Sequence, residues 1–442
     1  MTDPVRPLGR TDLSRRDVLR GTALGAAGLG AASLLDACSS GLKGSGSSTG
    51  TTGSTLKIGY VSPQTGALAS FALADNFIVK TVTDALSKGI TAAGKNYKIE
   101  IVVKDSQSSS TRAGDMAREL IFNDKVDLIV GSSTPDTTNP VADQCEANGV
   151  PNVTTIAPWE AWYFGRGAKQ GTAFKYTTLF FFGMAEITDI FISMWNKFGQ
   201  GGKSVGCLWP NDTDASAFRT GFADPMKKAG YSIVDAGAYQ DGISDFSAEI
   251  AKFKGANAEL FTCTPIPPDF QTFWKQASQQ GYKPKLATVA KVMLFPSEAE
   301  ALGSLSKNIA TDSWWSPYHP YKSTFDGTSA QKLADDFASS SGKQWTQALG
   351  SIYALFEIAV KAFQDASDPK DRKDVADKLQ KMKIEGMCGS LDFTAGPVPG
   401  VAIQKLVGVQ WREGKKFPWD MYIVDNSPFP AVATNGDLQA TN

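Results

Sequence analysis

Beyond residue 55 the chain alternates short apolar runs with amphipathic stretches of helical period. Runs at 56–61, 97–103, 126–130 and 150–154 predict four strands, rich in apolar residues on both faces. Between the second and third, Ala113, Met116, Ala117, Leu120 and Ile121 recur at i, i+3, i+4, i+7 and i+8, which is one face of a helix. The pattern then restarts. Ile187, Ile190, Phe191, Met194, Trp195 and Phe198 form a second helical stripe, stopped by Gly199, Gly201 and Gly202. Further strands are predicted at 204–209, 232–238, 260–263 and 286–292. Helical faces lie between them at Phe246, Ile250 and Phe253, and at Phe270, Phe273, Trp274 and Ala277. A long helix from Trp345 through Leu349, Ile352, Phe356 and Val360 to Phe363 follows, then tail strands at 401–409 and 419–424.

Strand–helix–strand repetition with short connections implies parallel sheets covered by helices on both faces. Two successive units of about 120 residues predict an α/β fold of two doubly wound parallel-sheet lobes. Open sheets of this kind bind ligands beyond the C-terminal ends of their strands. Two facing lobes can therefore border one cleft and close on a small molecule about a hinge.

Residues 1–55 read differently. Ser14-Arg15-Arg16-Asp17-Val18-Leu19-Arg20 resembles a twin-arginine export signal, and the Ala-, Gly- and Leu-rich stretch after it is too short to span a membrane comfortably. Leu35-Asp36-Ala37-Cys38 resembles a lipobox, which implies lipidation at Cys38, although Asp36 stands where such motifs carry a small uncharged residue. Residues 39–54 are almost wholly Ser, Gly and Thr, the composition of a flexible tether. The expected outline is a processed signal over 1–37, a tether over 38–55, and a globular body outside the cytoplasm held to the membrane by lipid.

Composition narrows the chemistry. With 44 basic and 45 acidic side chains the net charge is −1, and no basic stripe, RNP or helix-turn-helix signature supports nucleic-acid binding. The single histidine, His319, rules out a multi-histidine metal site and leaves a Ser-His-Asp triad without an evident nucleophile. No Walker loop or GxGxxG opens a helix, and Cys145, Cys207, Cys263 and Cys388 lack CxxC spacing. No cofactor is implied and no acid, base and nucleophile converge, so an enzyme is not expected. The four cysteines allow three pairings, with Cys207 and Cys263 reading first as buried thiols.

Three motifs in order carry a family resemblance. Lys57-Ile58-Gly59-Tyr60-Val61-Ser62-Pro63-Gln64-Thr65-Gly66 resembles the opening strand and loop of periplasmic binding proteins of the branched-chain amino acid type. Asp127-Leu128-Ile129-Val130-Gly131-Ser132-Ser133 resembles their third strand and loop, and Gly149-Val150-Pro151-Asn152-Val153 the start of their fourth. The resemblance implies two lobes joined by three crossing segments near 175–179, 314–318 and 386–392. Lobe 1 would comprise 56–175 plus 318–386, and lobe 2 180–314 plus 390–430. It implies capture of a small-molecule solute, delivery to an ABC permease in the cytoplasmic membrane, and a monomer. The same fold also serves ligand-sensing receptors.

In that family a lobe 1 serine and threonine hold an α-carboxylate and a lobe 2 acid holds the ammonium. Here Pro135 and Pro158 stand at the hydroxyl positions, beside Asp136 and Thr137 and beside Thr155 and Ala157, and proline offers neither hydroxyl nor N–H. Lys291 stands near the expected acid, where it would suit an anion, though it also fits a solvated strand-end lysine. Asp212 falls in the loop after the strand at 204–209, and Thr264 directly follows the one at 260–263. Phe71, Trp159, Trp209 and Trp314 supply broad faces for the cleft; Trp162, Tyr163 and Trp315 are further aromatics there, any of which could instead be core. Ser132 and Ser133, with Thr134, either contact ligand or cap the next helix. The expected ligand is a small organic molecule with an anionic group and an apolar or aromatic body, with a branched-chain amino acid second.

Overall fold

The two strand series become two sheets. The computed structural model describes residues 55–200 and 202–441. Arg15, Arg16, Cys38 and the Ser/Gly/Thr stretch to residue 54 lie outside the described residues. The first sheet has six strands, all parallel, in the order Val401–Ala402, Thr177–Phe180, Asn152–Thr155, Leu128–Gly131, Leu56–Ser62 and Ile99–Asp105. The second has seven, in the order Trp419–Asp425, Val407–Glu413, Ala310–Ser313, Leu286–Val289, Leu260–Cys263, Ser204–Leu208 and Ser232–Asp235. Its strands from Ser204 to Ser313 are parallel, and the two tail strands add to the edge antiparallel. In both lobes the first long strand lies between the second and the third. The chain reverses direction across the sheet there, and crevices for ligands open at that point.

The central strands of each sheet are buried on both faces, which is why runs such as Leu128–Gly131 and Leu286–Val289 lack an exposed polar alternation, whereas the edge strands Ile99–Asp105 and Ser232–Asp235 are only half-buried. Helices Ser110–Glu119 and Pro135–Asn148 cover one face of the first sheet; Asp75–Ala85 and Ala348–Asp365 cover the other. Helix Ala348–Asp365 is buried along nearly its whole length. Gly350 makes its approach possible, because a Cβ there would sit 2.1 Å from Trp315 Cδ1. On the second sheet, Met184–Phe198 packs on one face, and Ser247–Gly255 and Pro267–Gln279 on the other. Gly199, at φ +66°, ends Met184–Phe198 where its glycines predict a stop. All four cysteines of the described residues are buried and free.

Two predicted strands divide. The run expected at 97–103 is split between Lys95–Tyr97, in a small hairpin with Ile90–Ala92, and the sheet strand Ile99–Asp105. The run expected at 401–409 serves both lobes: Val401–Ala402 pairs in the first sheet and Val407–Glu413 in the second. This relocates the third passage between lobes to residues 403–406. The stretch at 386–392, where the resemblance placed it, is a hairpin of Lys383–Gly386 with Gly389–Asp392. That hairpin is tied to lobe 1 by the buried Glu357 carboxylate, which accepts from the Met387 N–H at 2.8 Å. Residues 390–400 therefore belong with the first sheet.

Candidate functional site

The two reversal points face each other. From lobe 1 come Phe71, after the first strand, and Thr134 and Asp136, after Leu128–Gly131; Ile156 and Pro158 follow the next strand. From lobe 2 come Asp212 and Asp214, after Ser204–Leu208, Thr264, after Leu260–Cys263, and Lys291, after Leu286–Val289. Between them lies a narrow inner pocket of about 30 Å³, walled by Phe71, Ile156, Pro158, Phe181, Phe182, Phe218, Ala290 and Leu294. Its polar groups are Thr134, Thr264, Asp214 and Lys291. A wider mouth of about 700 Å³ adjoins it, bordered by Asp136, Asp212, Asp241 and Gln240, with Thr134 and Lys291 common to both.

Backbone geometry marks the same place. Thr134 (φ 64°, ψ 145°), Ile156 (φ 54°) and Lys291 (φ 65°) all have positive φ. Conformations that L side chains rarely adopt cluster at functional sites, where the surroundings enforce them. The hydroxyls of Thr134 and Thr264 and the Oδ1 of Asp214 are buried without a hydrogen-bond partner. Buried polar atoms of that kind are costly unless something else satisfies them.

Lys291 is a bound cation. Its Nζ lies 2.7 Å from Asp212 Oδ2 and 3.1 Å from Asp214 Oδ2, and its side chain is almost fully buried. Burial opposes its charge, but the two carboxylates outweigh that and raise its pKa. Burial pushes Asp214 up to about 7 against the pull of Lys291, with Asp212 and Asp136 adding to the rise. Asp241 rises to about 6, through burial and then Asp212. The sequence reading of Lys291 as a free anion-binding group is thus corrected: its charge is already shared by two acids from the facing loop.

The lobes touch across the mouth. Thr213 Oγ1 donates to Asp136 Oδ1 at 2.7 Å, and Ser70 Oγ to Glu298 Oε1 at 2.8 Å. The Phe71 ring meets Phe295 edge-on, with centroids 4.6 Å apart.

Of the residues expected at the site, Phe71, Thr264 and Lys291 line the inner pocket and Asp136, Asp212 and Lys291 the mouth. The others do not reach either space. Thr137 Oγ1 donates to the Ser133 carbonyl, Thr155 Oγ1 to the Phe180 carbonyl at 2.9 Å, and Ala157 is buried. Ser132 and Ser133 are buried behind the loop, and no hydroxyl caps helix Pro135–Asn148. Trp159 packs against Gly183, where a Cβ would lie 2.1 Å from the indole, and so braces the first crossover. Trp209 is core against Phe222, while Arg219 donates to its carbonyl. Trp314 lies one layer back: its Nε1 donates to Ser351 Oγ at 2.9 Å and its ring supports Phe181 and Phe182. His319 is buried against Ser316, and desolvation lowers its pKa to about 3.

Phe181, Phe182, Phe218, Asp214 and Ile156 were not singled out as site residues. Phe181 and Phe182 stand out in the sequence only as part of the apolar run Phe180-Phe181-Phe182, and no local pattern marks Phe218, Asp214 or Ile156.

Comparison with known proteins agrees with this geometry. A model of the family described as periplasmic binding protein matches residues 55–416. The fold is similar to that of the leucine-binding protein LivK from Thermotoga maritima, with a TM-score of 0.70 at 19% identity over 83% of this chain and 97% of that one. LivJ of Streptococcus pneumoniae, solved with isoleucine, gives 0.66 at 19% over 87% and 99%. An ABC-transporter solute-binding protein from Rhodopseudomonas palustris BisB5, solved with 3,4-dihydroxybenzoic acid, gives 0.67 at 19% over 86% and 99%. Two doubly wound lobes around one cleft, with a family match over most of the length, lead to one conclusion: the chain belongs to the periplasmic binding protein family.

Proposed function

We propose that this chain is the extracytoplasmic solute-binding component of an ABC importer, holding a small organic molecule in the interlobe cleft formed by the inner pocket and its mouth and passing it unchanged to a membrane permease. The observation that carries the reading is the set of partnerless polar atoms on Thr134, Thr264 and Asp214, which face one apolar pocket from opposite lobes. A ligand there would satisfy both lobes at once, and so favour the closed pair over the open one. The phenyl rings of Phe71, Phe181, Phe182 and Phe218 suit a ligand with an apolar or aromatic body. The neighbours bound to isoleucine and to 3,4-dihydroxybenzoic acid support that class. Export through Arg15 and Arg16, anchoring at Cys38 and a monomeric state complete the proposal.

Purified protein, unfolded and analysed by mass spectrometry, should release a small organic solute, and re-addition of that solute should raise the melting temperature. Saturation at 100-fold above Kd corresponds to ~2.7 kcal/mol of added stability. If nothing co-purifies and no organic solute from a broad panel stabilises the chain, the reading fails. Replacing Arg15 and Arg16 by Lys should hold the chain in the cytoplasm, and Cys38→Ser should release it from the membrane fraction.

A further inference from the structure

We propose that the end of lobe 2 farthest from the cleft is a docking surface for anionic phospholipid headgroups, with a phosphate seat between Lys283 and Lys307. The proposal rests on the extracytoplasmic, membrane-anchored reading above.

Topology gathers this surface. The parallel strands of the second sheet start side by side: Ser204 pairs with Ser232, Leu260 with Val205 and Leu286, and Ala310 with Thr288. Their C-terminal ends border the cleft, so their starts lie at the opposite end. The connections leading into them, residues 197–203, 227–231, 252–259, 280–285 and 303–309, carry nine lysines and one acid, Glu259. All nine lysines are exposed. Glu259 is already engaged, by Lys285 at 2.8 Å and by the Gly202 N–H at 2.8 Å. Among the described residues no other lysine of the set meets a carboxylate.

Lysines at helix ends are common, because a cation suits the C-terminal dipole. The first sheet tests that explanation. Its matching connections, 82–98, 121–127, 145–151 and 161–176, carry seven basic and four acidic residues, an excess of three where lobe 2 has an excess of eight. Helix dipoles act alike in both lobes, so the larger surplus has another cause. Acids collect at the other end of lobe 2, where Asp212, Asp214 and Asp241 border the cleft. An anionic surface is therefore drawn to the lysine end and turned away from the cleft.

The chemistry of the set fits a lipid surface. Every basic residue in it is a lysine. Arginine forks fix one phosphate bidentately, whereas lysine is a mobile point charge that serves many headgroups at once. Between Lys283 and Lys307 lies a small pocket of about 60 Å³, bordered by Ser278, Ser304 and Thr441 and by no carboxylate side chain. Ammonium groups and hydroxyls are the donors that phosphate oxygens accept from. No large apolar side chain is exposed in these connections, so the contact is electrostatic, without insertion, and salt should reverse it. A bilayer is also within reach: with lipid at Cys38, the tether over 39–55 spans at most ~60 Å.

The test sediments the full chain, carrying Cys38→Ser so that no lipid contributes, with vesicles of phosphatidylcholine alone or with about one-third phosphatidylglycerol. Residues 1–37 are the same in every variant, so differences between variants report the lysines. Phosphatidylglycerol should raise binding, and about 0.5 M salt should abolish the increase. Lys283→Gln with Lys307→Gln should weaken binding to these vesicles roughly tenfold, and Lys227→Gln with Lys228→Gln several-fold. The lobe 1 pair Lys88→Gln with Lys95→Gln should change it less than twofold. Melting temperatures report folding, and the Lys227 and Lys228 pair decides if the other does not fold. No increase with phosphatidylglycerol, lobe 2 variants that bind like the parent, or an equal loss in the lobe 1 pair overturns the proposal. Displacement by inorganic phosphate at matched ionic strength overturns it in favour of a free-phosphate site. Tighter binding to soluble poly(glycerol phosphate) than to vesicles overturns it in favour of a wall polymer. A chain that still releases a co-purified solute but does not bind these vesicles keeps the solute-binding role and loses the dock.

Discussion

Thr264 shows what a single side chain does in a binding pocket. Its hydroxyl is fully buried and makes no hydrogen bond, so the empty protein carries an uncompensated polar atom. Replacing it by the near-isosteric valine removes that penalty, of about 1 kcal/mol, and also removes a ligand contact. Thr264→Val should therefore melt higher than the parent when empty and bind its solute roughly five- to tenfold more weakly. Calorimetry of both forms checks the pair of signs. A variant less stable when empty would show the hydroxyl to be ordinary structure. Thr264 was legible because it directly follows an apolar strand. The partners of Lys291 were not: Asp212 and Asp214 lie far from it in sequence, and only the folding of the second sheet brings the loops after Ser204–Leu208 and Leu286–Val289 together, across the end of the strand Leu260–Cys263 between them. Phe181 and Phe182 were visible as apolar residues, but nothing local said that a crossover would turn them into a pocket wall.

At the scale of elements, the contact between lobes is made by helix beginnings. Asp136 lies in the first turn of Pro135–Asn148 and Thr213 opens Thr213–Lys228, so their 2.7 Å hydrogen bond joins the N-terminal ends of two helices. On the other flank the short turn Ala69–Ala72 brings Ser70 to Glu298 in Pro296–Leu302. A hydrogen bond of this kind contributes about 1 kcal/mol, which is roughly fivefold in an open-to-closed equilibrium. Ser70→Ala and Thr213→Ala should each lower the closed population of the empty protein and raise the solute Kd several-fold. Their effects should add, because the two bonds share no partner. Small-angle X-ray scattering with and without solute reads the first effect and calorimetry the second; an unchanged radius of gyration and Kd in the double variant would remove any latching role. Element types and order could be read from periodicity, since the strands are apolar on both faces and the helices on one. The tail could not. Residues 401–409 look like one strand because period and hydrophobicity are local, whereas sheet membership is decided by distant partners, Thr177–Phe180 more than two hundred residues away for one end and Ala310–Ser313 about a hundred away for the other.

The molecule as a whole buries acids that retain their protons. Burial raises Asp75, Glu160, Asp312 and Glu357 to about 7 each, despite hydrogen bonds that pull every one of them down. In the unfolded chain these groups return to ordinary carboxylate values near 4, so between about pH 4 and pH 7 the folded state holds protons the unfolded state has released. Their contribution to stability is greatest at the acidic end, declines as pH rises through 7, and is flat above. His319 works in the opposite sense. It is neutral when folded and titrates near 6.5 when unfolded, so its contribution is complete above 6.5 and is lost as pH falls towards 3. From pH 8 to 6.5 the carboxyl groups act alone, and below that four of them oppose one imidazole. The melting temperature should therefore rise by roughly 3–6 °C from pH 8 to pH 6. Asp312, whose Oδ2 has no partner, supplies the internal control. Asp312→Asn removes a carboxylate that must ionise in the core, so it should melt higher than the parent at pH 8 and show a smaller rise on acidification. Scanning calorimetry across pH 8 to 5 decides the matter: a curve that is level or falls from pH 8 to 6 means that the fold tolerates these carboxylates ionised.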